Sequence, residues 1–253
     1  MIVSKKWFLF FLYICCFNAV LFAQEHKRKN DVDGKLWTGL YFKHKFNKRW
    51  SIGVKTEGRF KLVEFDRMLL ELRGTYNPKF HDFVKPLSLT IGCRYFFEND
   101  EDGIELDDNY VRLFAALNYK VEIKRFMVEG RVLYQNRAGL DTKKKIVKND
   151  WAQDIRCRIK LAYNFKKWKL DPELWCEIFI HDEIGALDGF TKYRLGAGTK
   201  YKFNKQHALR LKYIFEQEVK YYFPDTSHII ALSYIYTSAS KKKSKRKPSN
   251  KVR

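Results

Sequence analysis

Cysteine is scarce in this sequence, and helical periodicity is scarcer. Two of the five cysteines, Cys15 and Cys16, sit in an apolar run near the N-terminus; Cys93, Cys157 and Cys176 are spread over the rest. Three cysteines cannot all pair within an exported chain. Each lies among apolar residues in a strand pattern, so they read as small packed hydrophobes rather than a disulfide framework. No CxxC and no Cys/His spacing suited to a metal occurs, and no cofactor is expected. Acidic residues are also short: 29 Asp and Glu face 50 Lys and Arg, a formal net charge of +21. Such a surplus suits nucleic acid, an anionic membrane surface or anionic ligands.

One long apolar run is present. "WFLFFLYICCFNAVLFA", Trp7 to Ala23, follows Lys5 and Lys6 and precedes the polar "QEHKRKND". A basic start, an apolar run and a small residue before a polar break describe a secretory signal peptide over 1–23, cleaved after Ala23. The run is about 17 residues, at the short limit for a membrane helix. Tyr13 and Ile14, ahead of the cysteine pair, are not the small residues of a lipoprotein signal. Behind a signal peptide, nucleic acid is not an expected partner. It would become one if the protein kept its first 23 residues in the cytosol.

What the chain has in abundance is alternation. In "DWAQDIRCRIKLAYNF", Ile155, Cys157, Ile159, Leu161 and Tyr163 share one parity, and Asp154, Arg156, Arg158 and Lys160 the other. A period of two is a strand with two unlike faces. The pattern recurs in about eleven segments with no convincing helix among them. Many run about 10–13 residues, the length of a tilted membrane-crossing strand rather than of a soluble one. Aromatic residues, 17% of the chain, gather at the strand ends. Phe46, Trp50, Tyr76, Tyr119, Phe126, Tyr163, Trp168, Tyr201, Phe203 and Tyr236 lie by the short turns. Tyr95, Phe97, Tyr134, Trp151, Phe190, Tyr193 and Tyr221 lie by the long loops. Two such girdles mark the interfaces of a membrane barrel.

The segments "RCRIKLAYNF", "PELWCEIFI", "YRLGAGTKYKFNKQHALRLKYIFEQE" and "HIIALSYIYT" follow one another in that order. This succession resembles the domain of unknown function 2490 family, exported β-barrel proteins of Gram-negative outer membranes. The resemblance covers most of the mature chain and implies a fold and the cell outer membrane as location, with no chemistry attached. It also implies outer-membrane lipids, lipopolysaccharide and the barrel-assembly machinery as partners. One departure is that Tyr236 closes the last strand pattern and "TSASKKKSKRKPSNKVR" follows it, where barrels of this kind usually end on an aromatic residue.

The expected fold class is all-β: an antiparallel transmembrane barrel of ten to twelve strands. Because closed bacterial barrels have even numbers, twelve is favoured over the eleven counted: one strand is missed, within Gln24 to Gly34, or one is miscounted. The expected divisions are a signal peptide at 1–23, a polar segment at 24–35, the barrel at 36–237 and a basic disordered tail at 238–253. The charged parity would face the lumen. Its expected members are Arg59, Glu71, Arg73, Arg94, Arg112, Glu129, Arg131, Arg156, Arg158, Lys160, Glu173, Glu177, Arg194, Arg210 and Lys212. Such a network either fills the barrel or lines a passage for small anions. In the strand beginning at Asp154, that residue is the candidate partner of the bases that follow it.

An enzyme is not expected. His181 is the only histidine at a long-loop strand end, and no serine accompanies it. Glu173 and Glu177 share a face about 13 Å apart, too far for a carboxylate pair. "KKKIVK", Lys143 to Lys148, reads as a solvated loop, and "KKKSKRK" as a disordered tail near anionic lipid. The rival fold is a soluble exported lipocalin-like barrel or sandwich, apolar parity inward, binding an anionic or apolar ligand.

Overall fold

The computed structural model describes residues 32–61, 64–78, 84–98, 109–141, 146–147, 152–165, 169–182, 189–219 and 224–239. The expected signal peptide, most of the "KKKIVK" loop, the basic tail, and Trp151, Trp168 and Tyr221 lie outside them.

The alternating segments form strands β1 (Val32–Lys45), β2 (Trp50–Lys61), β3 (Glu64–Tyr76), β4 (Leu87–Glu98), β5 (Tyr110–Ile123) and β6 (Phe126–Asp141). They continue with the two-residue β7 (Ile146–Val147), β8 (Ala152–Tyr163), β9 (Leu170–Asp182), β10 (Gly189–Lys202), β11 (His207–Glu218) and β12 (Thr226–Ala239). Each long strand pairs with its neighbours in sequence, and β7 adds only a short pairing to the end of β6. Leaving β7 aside, eleven strands close into a barrel.

Closure explains why eleven suffices. Strands joined by hairpins alternate in direction, so with an odd number the first and last run the same way. β1 and β12 accordingly pair in parallel, from Val32 opposite Thr226 to Lys45 opposite Ala239. The barrel is therefore mixed. It falls within the expected ten to twelve strands, but the preference for twelve fails, because a parallel seam lets an odd barrel close. The missing strand was sought within Gln24 to Gly34; of that segment, residues 32–34 belong to β1 itself. The barrel thus starts ahead of the expected 36 and runs past 237 to Ala239. In β12, Tyr236 is followed by Thr237 and Ser238, which pair with Lys43 and His44.

The wall has the polarity that the sequence parity implies. Ile91 is 68% exposed, Leu40 62%, and Ile159 and Leu174 61% each, whereas Glu71 is 2% and Glu177 3%. Apolar residues point out and charged ones point in, the reverse of a lipocalin. Cys93, Cys157 and Cys176 are unpaired and half-buried on the outward parity.

The β1–β2, β5–β6, β8–β9 and β10–β11 turns lie at the end where β1, β5 and β10 finish; the β2–β3 connection is short at the opposite end, and the β3–β4 connection is long at this one. Two are built alike: in "FNKRW" the Asn47 carboxamide oxygen accepts from the Arg49 and Trp50 amides at 2.7 and 2.8 Å. In "FNKQH" Asn204 does the same for Gln206 and His207, both at 2.8 Å. Such Asx turns satisfy amides that the ladder leaves free. Aromatic contacts crowd this end: Trp50–Tyr76 at 4.5 Å, Phe126–Tyr163 at 4.8 Å, Tyr201–Phe203 at 5.0 Å and Phe42–Tyr236 at 5.7 Å.

The β5–β6 turn holds Lys124 at φ 55°, a region that costs a side chain about 1–2 kcal/mol. Lys124→Gly is expected to stabilise the refolded barrel by about 0.5–1 kcal/mol, and Lys124→Val to destabilise it by a similar amount. Denaturant midpoints of the three proteins check this, and equal midpoints would contradict it.

Candidate functional site

Strand parity carries every charged residue expected in the network to the inside of the wall, where low polarity makes pairing obligatory. Glu57, Glu71, Glu129, Glu173, Glu177 and Glu216 each stand between two bases. Glu57 meets Lys55 at 2.5 Å and Arg59 at 2.9 Å. Glu71 holds Arg73 and, at 2.5 Å, Arg94. Glu129 takes Arg158 at 3.0 Å and Lys160 at 2.8 Å. Glu177 binds Arg131 and, at 3.0 Å, Arg156. Glu216 pairs with Arg194 and stands 3.9 Å from Lys192. Glu173 lies 4.0 Å from Arg210 and 3.6 Å from Lys212. Bases outnumber these carboxylates two to one, so the interior keeps a positive surplus.

The pairing is set by register and reach. Arg131, Arg158, Glu177, Arg194 and Glu216 stand in one continuous row across β6, β8, β9, β10 and β11. Some contacts skip a strand: Arg131 on β6 reaches Glu177 on β9, and Lys212 on β11 reaches Glu173 on β9. The network therefore ties strands that do not share a backbone ladder. Asp154, expected as partner to the bases of its own strand, instead meets His181 at 2.6 Å and the Gln135 amide at 2.7 Å. Its neighbour Arg156 goes to Glu177 because that glutamate lies one strand over and deeper. Lys55, Glu57, Lys192 and Glu216, which share the charged parity, join the network as well.

Aromatic rings on the charged parity stand among these ions. Trp37 lies under Arg59 at 4.2 Å and Arg194 at 5.4 Å. Phe179 carries Arg156 at 4.4 Å and Arg194 at 4.7 Å. Phe114 carries Arg94 at 4.4 Å, and Trp175 carries Lys212 at 5.6 Å. A guanidinium over a ring keeps a favourable partner where no second carboxylate is at hand. Phe114 and Trp175 have room because Gly92 and Gly196 stand opposite them in register. A Cβ at either glycine would run into the facing ring. Trp175 also packs with Ile214, Ile229, Ala231 and Trp37, an apolar cluster between the ionic clamps. The signal available in the sequence was that Trp175 and Phe179 alternate in phase with Glu173 and Glu177.

Among the described residues no group of three or more potential ligands could hold a metal. The Asp154–His181 pair has the form of a base and its orienting carboxylate, with Gln135 on the second carboxylate oxygen.

Removing one clamp leaves two buried cations without a carboxylate. Glu177→Gln is expected to destabilise the barrel by about 3–5 kcal/mol. Glu122→Gln, which removes the exposed Lys120–Glu122 pair, is expected to stay within about 1 kcal/mol of the parent. Denaturant titration of both variants checks the contrast, and similar losses would refute a buried structural network.

A family model described as protein of unknown function (DUF2490) matches residues 34–248 of the chain. No curated protein matches it.

Proposed function

The chain belongs to the DUF2490 family, and we propose that it is an exported barrel of the Gram-negative outer membrane, acting without catalysis. In this reading 1–23 is a cleaved signal peptide. The partners are outer-membrane lipids and lipopolysaccharide outside, the assembly machinery during insertion, and small anions inside. The interior is a structural plug with a positive surplus rather than a wide pore.

The observation that carries this reading is the inverted polarity of the wall. Large apolar side chains are exposed on all eleven long strands, while glutamates and arginines are buried within. Contiguous apolar surface on that scale is foreign to a soluble monomer; facing hydrocarbon it costs nothing, and the hydrophobic term favours it. Closure supports the same reading, since a barrel leaves no unpaired strand edge for lipid to meet. So do the lengths, 12 to 16 residues in the long strands, against about 9–11 needed to cross a bilayer. The aromatic ring at the short-turn end sits where an interface would fall. The plug rests on the clamped glutamates and the rings between them. Absence of catalysis is the simpler account of a histidine and an aspartate engaged with each other and with Gln135.

Fractionation tests the location. The protein is expected in the outer-membrane fraction with Gln24 as its first residue, and migrating differently on gels before and after boiling. Recovery from the periplasm as a soluble protein with no such shift would overturn the membrane reading. In planar bilayers the plug predicts no steady porin-sized conductance and anion selectivity in any small openings; large cation-selective steps would contradict it.

A further inference from the structure

Most bases on the inward parity share a glutamate; among those that do not, Arg112 and Arg137 stand together beside Arg94. Arg94, Arg112 and Arg137 stand directly opposite one another on β4, β5 and β6. Arg94 is bound to Glu71. Arg112 and Arg137 make no ion pair with any described residue, and the Arg112 Nε is buried without a hydrogen-bond partner. The carboxylate whose field reaches Arg112 is Asp154, and its oxygens are taken by His181 and Gln135.

Like charges directly opposite on neighbouring strands repel, and an unpaired charge in a wall of low polarity is costly. The surroundings nevertheless fix these groups in place. Phe96, 1% exposed, stacks on Tyr110 at 4.4 Å and 17°. Arg112 lies over both rings, 4.8 Å from Phe96 and 5.2 Å from Tyr110, and Arg137 lies 5.8 Å from Tyr110. An aromatic platform thus carries the half-buried Arg112 and, exposed at the rim of the long-loop end, Arg137, neither of them ion-paired among the described residues.

We propose that Arg112 and Arg137, with Arg94 beside them, form a binding site for a small oxyanion. Guanidinium forks match the oxygens of phosphate or carboxylate, and two of them on one ring leave a charge deficit that such a ligand fills. The ligand is a soluble one that enters the barrel, because these side chains are on the inward parity. The site gives specific residues to the anion handling proposed above, yet it does not need the membrane: binding at Arg112 by a protein that fractionates as soluble would keep the site and remove the location.

The test is calorimetric titration of inorganic phosphate into the refolded full-length barrel in detergent, with chloride at matched ionic strength as control. One saturable site is expected. Arg112→Gln should weaken it at least tenfold and Arg137→Gln should also weaken it. Lys200→Gln, which removes another interior base without an ion pair, should leave it within twofold. Phosphate should also raise the melting temperature of the parent and not that of Arg112→Gln. The second readout matters because a merely structural arginine would lower the melting temperature when replaced, whereas an uncompensated one would not. Absence of saturable binding by the folded parent, or equal weakening by Arg112→Gln and Lys200→Gln, would overturn the proposal. If Arg112→Gln does not refold, Arg137→Gln against Lys200→Gln decides it by the same criterion.

Discussion

The clamp of one buried glutamate between two bases is the interaction on which the rest of the barrel depends. A wall whose outside is apolar has only its inside for charge, and charge placed there must be paired or wet. Five of the six clamps tie neighbouring strands, or strands two apart, through side chains as well as through the backbone ladder; that of Glu57 lies within β2. Arg131 and Arg156 both end on Glu177, so three strands, β6, β8 and β9, converge on one carboxylate. The aromatic rings occupy what the clamps leave open and give the surplus guanidiniums a second partner. Stability and positive charge thus come from the same residues: two bases on each of the six clamped glutamates also leave this network cationic.

The parallel seam is the second constraint. It joins β1 to β12 along all 14 residues of β1, and side chains reinforce it on both faces of the wall. Lys35 donates to Ser227 at 2.9 Å, and His44 meets Ser238 at 3.0 Å. Trp37 packs against the cluster that contains Ile229 and Ala231. An odd barrel therefore does not leave its closure to backbone pairing alone, which is somewhat weaker per residue in parallel strands.

Much of this was legible in the sequence, because a strand turns parity directly into sidedness. The eleven strand segments, the outward Ile155, Ile159 and Leu161, the inward Arg156, Arg158 and Lys160, and the aromatic ends follow from period two alone. What parity does not encode is register. Asp154 and Arg156 look like partners in the linear pattern, yet stagger places Glu177 next to Arg156 and His181 next to Asp154. Reach across the interior is equally silent in the sequence, as with Lys212 and Glu173. Inward aromatics such as Phe96 and Phe114 are marked in the sequence only by their phase with Arg94 and Arg112. Strand number was misjudged by preferring an even rule over the count itself, since nothing in the alternation says how the last strand closes on the first.

The central claim is that the apolar parity faces lipid and the charged parity faces the interior. A spin-label scan along β8, residues 155–161, tests it most directly in bilayers, on a chain whose own cysteines are replaced. Contact with lipid-dissolved oxygen should be high at 155, 157, 159 and 161 and low at 156, 158 and 160. Uniform values along the strand, or high values at 156, 158 and 160, would contradict the account.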